Sequence, residues 1–393
     1  LFVGIGLISY SLYLWHYPIF AFLRIYDFWN GFILIKSIFI IILFILSFFT
    51  YYFIEKYFKK KNNNFKFLLK LITFFLLLIV SINLIFNYNE GFKNRLHIPN
   101  IIKQSLKNLN PSVIKQNKKF CHNRIGYKGF CIFNELPNNK GDIIILGDSL
   151  SNSLLKDLII RIEKTKFRLI HMSYSGMIYL PDFVSHNKLN NDLRIDERWH
   201  STRKNFIDNK THKNLYIIYY GDYNYYLREK RLTLNSNKID TYETDFVFAE
   251  TINLKKDFLY RKKLLKEKLV QTLNILSKKS NLILLYPSPI SPLNVYDRIH
   301  RNFNKKLLDN NFYLKDKINY DIELFYKYNL EIFDLFDNNL SRNIHMIKPH
   351  EVFCNKKCLF YDNNHVYFFD EVHPSLKGAE MINDLIMKEI EKI

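Results

Sequence analysis

The sequence predicts an α-helical membrane part of three spans, cut at its amino end, followed by an α/β domain built on a parallel sheet. Three observations carry that expectation. The first quarter of the chain is nearly uncharged and the rest is polar, so a mean hydropathy of -0.14 averages two unlike regions. Within the polar region short aliphatic runs alternate with amphipathic stretches, the pattern of strands joined by helical crossovers. One of those runs, Ile143 to Leu146, stops abruptly at Gly147-Asp148-Ser149 before a helical period begins.

Leu1 to Leu23 holds no charged residue unless His16 is protonated, Ile33 to Phe53 holds only Lys36, and Phe67 to Phe86 only Lys70. At about 1.5 Å per residue each run can cross a bilayer. No charged stretch precedes Leu1, which reads as a cut within a larger membrane protein and not as a signal peptide. Lys56, Lys59, Lys60, Lys61 and Lys66 face the single acid Glu55 between spans two and three, whereas Arg24 and Asp27 stand between spans one and two. The excess of positive charge assigns residues 54 to 66 to the cytoplasm and everything after about Tyr88 to the far side. Tyr88 to Lys119 lacks clean periodicity and reads as a linker.

The chain has 57 Lys and Arg against 37 Asp and Glu, a formal charge of +20. That balance would suit nucleic acid, an anionic membrane or an acidic polymer. Here Lys abounds together with Asn, Ile, Phe and Tyr, the residues of AT-rich coding, and no nucleic-acid motif is present, so no nucleic-acid partner is expected.

In the polar region Leu150 to Ile162 reads as a helix with Leu154, Leu155, Leu158 and Ile162 on one face. Phe167 to Met172 reads as a strand leading to Ser173-Tyr174-Ser175-Gly176-Met177, and Leu215 to Tyr220 as another, ending in Gly221-Asp222-Tyr223-Asn224. Phe258 to Leu276 is an amphipathic helix feeding the strand Leu282 to Tyr286, which Pro287-Ser288-Pro289 breaks. Leu330 to Phe336 is the expected last strand, and Ser375 to Ile390 the closing helix. Residues 186 to 212 and 230 to 256 look like insertions able to shape a groove. Cys121, Cys131, Cys354 and Cys358 allow three pairings; closeness in sequence suggests 121 with 131 and 354 with 358, as expected outside the cytoplasm. A four-sulfur zinc site is the competing arrangement, but the spacings are unusual for metal pairs, and no metal is expected.

The sharp turn after Ile143 to Leu146 places Ser149 where N–H groups of the following helix can steady an oxyanion, which reads as a nucleophile. Serine needs a base, and Phe369-Asp370-Glu371-Val372-His373-Pro374 supplies one: three residues apart in a turn, Asp370 can hold His373 Nδ1–H and leave Nε2 free. Singly, each motif also occurs in ordinary turns and helix caps.

Together, Gly-Asp-Ser early and Asp-x-x-His late resemble the SGNH (GDSL-type) hydrolase superfamily. The resemblance implies a three-layer α/β domain with catalytic Ser149, His373 and Asp370. It also implies an oxyanion hole from the amide of Ser149, Gly176 after the second strand, and Asn224, which stands one place later than the superfamily's third-block Asn. The membrane part has its own resemblance. Ile8-Ser9-Tyr10-Ser11-Leu12-Tyr13-Leu14-Trp15-His16-Tyr17-Pro18 and Tyr51-Tyr52-Phe53-Ile54-Glu55-Lys56-Tyr57-Phe58 look like the last two core helices of the membrane acyltransferase-3 family, with Tyr57 where that family usually has Pro. That family's catalytic histidine lies in its first helix, so His16 is read as a buried histidine beside Pro18.

The domain boundaries that follow are 1–58 for the last two core helices, 59–88 for a cytoplasmic loop and linking span, 89–139 for an extracytoplasmic linker with a Cys pair, and 140–393 for the SGNH-like domain. The two resemblances imply an O-acyltransferase that passes an acyl group, from acetyl-CoA on the cytoplasmic side and with no cofactor bound, to a cell-surface polysaccharide or lipid-linked glycan such as O-antigen. They imply a multi-pass protein of the bacterial inner membrane with the SGNH-like domain on the periplasmic side, partnered by the bilayer and by further amino-terminal helices of the same protein. An esterase acting on the same glycans, or a non-catalytic glycan-binding domain on an anchor, are the alternatives.

Overall fold

The computed structural model describes residues 6–25, 33–56, 65–89, 114–116, 119–121, 130–188, 193–195, 197–210, 214–235, 238–244, 246–254, 256–306, 318–362 and 364–393. Most of the expected linker, and loop residues 26–32 and 57–64, lie outside them. The chain divides into two compact units, Leu1–Ile102 with Ile299–Lys315, and Lys103–Arg298 with Asp316–Ile393.

The first unit contains α1 (Ser9–Ile25), α2 (Ile33–Thr50, continued by a π-helical turn at Tyr51–Glu55) and α3 (Phe65–Tyr88). These helices fall on the three expected stretches, residues 1–5 of the first lying outside the described residues. Among the described residues Lys36–Glu55 is long and apolar enough to cross a membrane, and Ile72–Tyr88 is a shorter apolar stretch. α1 and α2 pack through Ile19, Leu23 and Leu43. Polar contacts at the other end of the pair join the two motifs: Trp15 Nε1 donates to Thr50 Oγ1 at 2.8 Å, and Ser11 Oγ donates to Glu55. His16 Nδ1 lies 2.5 Å from the carbonyl oxygen of Tyr13, one turn earlier.

The second unit is built on a six-stranded sheet of β1 (Cys131–Phe133), β2 (Gly141–Gly147), β3 (Phe167–His171), β4 (Leu215–Tyr220), β5 (Asn281–Leu285) and β6 (His345–Ile347), in the order β6-β5-β4-β2-β3-β1. All neighbours are parallel except β1 with β3. β2 and β4 are buried along their whole length, as continuous aliphatic runs at the centre of a covered parallel sheet should be. Their register pairs Ile144 with Ile217 and Gly147 with Tyr220, so both strands end level. Among its helices are α4 (Ser149–Ile162), α5 (Tyr223–Arg228), α6 (Phe258–Lys279), α7 (Ile322–Asn339) and α8 (Leu376–Lys392). α4 packs on α8, where Asn383 Nδ2 donates to the carbonyl of Leu154 at 3.0 Å.

One expected strand is overturned. Leu330 to Phe336 lies inside α7, not in the sheet. Its run Leu-Glu-Ile-Phe-Asp-Leu-Phe is too short to separate the two periods, but the buried residues Phe325, Tyr328, Asn329, Ile332 and Phe336 fall three and four apart, as on one helical face. The sheet ends instead on β6, three residues without a readable alternation. The two sequence insertions stay out of the sheet. They form a three-stranded antiparallel layer of Phe183–Asn187, Leu193–Ile195 and Phe246–Glu250 and a hairpin of Lys230–Asn235 with Lys238–Glu243. Both disulfides join the expected partners, Cys121 with Cys131 and Cys354 with Cys358, and among the described residues no His, Cys, Asp and Glu cluster suits a metal ion.

Candidate active site

β2 delivers its last residues to the carboxyl edge of the sheet, and Gly147 makes the exit turn. Its φ is +146°, and a Cβ there would sit 1.8 Å from the carbonyl oxygen of Tyr220, so a side chain is excluded by both backbone and neighbour. Asp148 then caps α4, its carboxylate accepting from the Leu150 N–H at 2.9 Å, and Ser149 becomes the first helical residue. The hydroxyl of Ser149 thus stands at the amino end of a fourteen-residue helix, where the dipole favours developing negative charge.

The loop before α8 meets it from 224 residues away in sequence. His373 Nε2 is 2.8 Å from Ser149 Oγ, and His373 Nδ1 is 2.7 Å from Asp370 Oδ2. The other oxygen of Asp370 accepts the backbone N–H groups of Val372 at 2.9 Å and His373 at 2.7 Å, which fixes the carboxylate within its own turn. Phe369 stacks on the imidazole at 5.4 Å, holding the ring plane. A ring held at Nδ1 by a carboxylate carries its proton there, and Nε2 accepts from the serine hydroxyl.

The electrostatics favour that assignment. Burial pushes the His373 imidazole down, but the carboxylate of Asp370, with Asp148 and Asp222 behind it, outweighs burial and holds the imidazole above its ordinary value. For Asp370 burial pushes up, and the bonds from His373 and the backbone hold the carboxyl below the usual carboxylate range. The pair is poised as an ionised acid beside a strengthened base.

Ser149, Asp370 and His373 line one cavity of about 550 Å³ with Ser175, Gly176, Asp222, Tyr225, Tyr226, Lys230, Asn294 and Tyr328. Gly176, at φ +83°, borders it on the side of β3, where the superfamily places an oxyanion donor. Asn224 does not line this cavity. It is buried in α5, its Nδ2 donates to Asn329 Oδ1 at 2.6 Å, and it borders a separate space, one water molecule in size, beside Leu150 and Val372. The break at Pro287-Ser288-Pro289 does reach the edge: Ile290, Pro292, Leu293 and Asn294 wall the cavity. Among the described residues of the two insertions, Lys230 contributes.

Sequence reasoning missed the tyrosine wall. Tyr225 and Tyr226 follow β4 in Tyr-Asn-Tyr-Tyr, and Tyr328 lies in the stretch leading into the segment expected as a strand. For Tyr225 and Tyr226 the available signal was position, just past the carboxyl end of β4 at the edge where ligands collect in open α/β sheets; Tyr328, in the middle of α7, carried no such signal.

Among solved structures the chain is similar to the periplasmic domain of a lipopolysaccharide acetyltransferase from Salmonella ser. Paratyphi A, at 16% identity and TM-score 0.38, over 65% of this chain and 85% of that one. It is also similar to a carbohydrate acetylesterase from Sinorhizobium meliloti, at 10% identity and TM-score 0.32, over 64% of this chain and 99% of that one. No match was found among curated proteins. A family model described as the SGNH domain fused to AT3 domains matches residues 116–388, more than half of the chain. The chain belongs to that family of SGNH domains.

Proposed function

We propose that this protein transfers an acyl group, in the preferred reading acetyl, to hydroxyls of a bacterial cell-surface polysaccharide such as O-antigen, with Ser149 as nucleophile, His373 as base and Asp370 as its orienting acid. The observation that carries the reading is the unbroken line Asp370 Oδ2, His373, Ser149 Oγ at 2.7 and 2.8 Å, opening on a cavity large enough for a sugar. Its place in a family of SGNH domains fused to acyltransferase domains supports transfer over simple hydrolysis.

In the proposed reaction His373 Nε2 removes the proton of Ser149 Oγ as the oxygen attacks the acyl carbonyl carbon of the donor. The backbone N–H groups of Ser149 and Gly176 hold the tetrahedral oxyanion. Collapse expels the donor's leaving group, which takes the proton from His373. A sugar hydroxyl then gives its proton to His373 and attacks the acyl-serine, forming the new ester while Ser149 recovers its proton. Tyrosine faces and the polar groups of Asn294 and Lys230 suit a glycan acceptor, since sugar rings stack on aromatic faces and their hydroxyls need partners. Donor delivery by further membrane helices, from cytoplasmic acetyl-CoA through the Ser11 and Glu55 motif helices, belongs to the same proposal, as do the three spans and the periplasmic placement of the SGNH domain. The two disulfides support an extracytoplasmic setting.

The test uses cells carrying the complete protein. Ser149→Ala and His373→Ala should each abolish acetylation of the surface polysaccharide at normal protein levels; acetylation that persists in both would overturn the reading. An esterase gives a different outcome: the purified chain, offered acetylated glycan and no donor, would release acetate rapidly in a Ser149-dependent way.

A further inference from the structure

Asp148 does more than a helix cap requires. One carboxylate oxygen accepts the Leu150 N–H, which is the whole task of an N-cap. The other accepts the backbone N–H of Asp222 at 2.8 Å and the phenol of Tyr226 at 2.8 Å, both beyond the end of β4. The carboxylate is buried, and the fold makes room for this reach: a Cβ on Gly221 would meet Ile178 at 2.3 Å and Asp148 Oδ2 at 3.1 Å. Asp222 and Tyr226 line the same cavity as Ser149. One side chain therefore begins the nucleophile's helix and ties down a second part of the cavity lining.

An anion buried to this degree is costly unless something charged answers it. Burial holds the Asp148 carboxyl above the usual carboxylate range; the donors at Asp222, Leu150 and Tyr226 and the charge of His373 offset part of that. The groups around it are Asp222 and Tyr226 from α5 and its approach and His373 from the loop before α8, with the phenols of Tyr219, Tyr220 and Tyr223 feeling its charge. His373 in turn faces Asp370 in its own loop, Asp148 at the β2–α4 turn and Asp222 after β4, while Glu371 and Lys230 border the same cavity.

We propose that Asp148 is a second carboxylate of the site, a positioning residue that fixes the Tyr226 wall against Ser149 and, by its charge, favours the imidazolium formed when His373 takes the serine proton. This rests on the Ser149, His373 and Asp370 reading above. It assigns the acidic residue of Gly-Asp-Ser a part in setting the base strength of the histidine, acting through His373 without touching the acyl group.

The experiment measures the rate at which a fluorophosphonate probe labels the full chain in detergent micelles across a range of pH. Labelling needs neutral His373, so its acid limb reports that imidazole. Asp148→Asn keeps the shape and removes the charge; the midpoint of the acid limb should fall by about one pH unit and the plateau rate by roughly tenfold. Tyr226→Phe keeps the charge and removes one donor, so the plateau should fall about threefold with the midpoint in place. An Asp148→Asn protein with wild-type midpoint and plateau overturns the proposal. Should that variant not fold, a Tyr226→Phe protein with the wild-type plateau overturns it instead. Probe labelling that survives Ser149→Ala would refute the nucleophile itself, a failure of the underlying reading and distinct from the other two.

Discussion

The two units use the same side chains in opposite ways. In α3 the apolar residues turn outward, with Phe74 60% and Leu77 61% exposed, while in β2 and β4 Ile144 and Ile217 are fully buried. Isolated from composition, a run such as Phe-Phe-Leu-Leu-Leu-Ile-Val and a run such as Ile-Ile-Ile-Leu say the same thing about water. Length separates them: a long run satisfies its backbone within one helix and can leave its side chains to lipid, whereas a run of four to six must pair with neighbours and be covered on both faces. The consequence is that polar residues carry opposite meanings too. Between α1 and α2 they join helices, Ser11 to Glu55 and Trp15 to Thr50; in the α/β unit they collect at strand ends, where Ser149, Asp222 and the His373 loop meet.

Four tests sharpen that contrast. The largest effect is expected at the strand edge: Ser149→Ala and His373→Ala should each lower turnover of 4-nitrophenyl acetate by about a thousandfold or more, with unchanged thermal unfolding, because the hydroxyl and imidazole are not part of the core. In the core itself Ile217→Ala should destabilise the α/β unit by about 2–5 kcal/mol, whereas Leu77→Ala, on an outward face, should cost well under about 1 kcal/mol in detergent. Equal losses at the two positions would erase the distinction between the units. Cys121→Ser with Cys131→Ser should cost about 2–3 kcal/mol, a loop of this length constraining the unfolded chain modestly, as read by denaturant titration. The smallest effect is on pH dependence. The base works neutral, and His373 titrates above its ordinary value, so acylation should fall with decreasing pH through a midpoint above about 6.5. Asp370 stays ionised throughout, being held below the usual carboxylate range. A midpoint below the ordinary histidine value would mean that burial, and not Asp370, sets the base.

Much of this was legible before any fold was known, for reasons of period and spacing. β2, β4 and α4 could be read because long aliphatic runs and repeating leucines leave little choice, and the contact of Asp370 with His373 because Asp-x-x-His is a local geometry. What failed was not local. Leu330 to Phe336 reads alike as strand or helix over seven residues, and its packing against the distant Tyr223 and Tyr286 goes with a helix. Asn224 sits one place beyond the superfamily's pattern, and one residue along a six-residue helix is enough to turn its amide toward Asn329. Asp148 was visible in Gly-Asp-Ser, but its bonds to Asp222 and Tyr226 cross more than 70 residues and leave no trace in spacing.

The central claim is that Ser149 becomes acylated with His373 as its base. Rapid quenching of the full chain with 4-nitrophenyl acetate, followed by peptide mass spectrometry, tests it directly. The account predicts an acetyl adduct on Ser149 that forms in the wild type and is lost in His373→Ala. Release of nitrophenol with no adduct at Ser149, or an adduct that forms equally fast without His373, would contradict it.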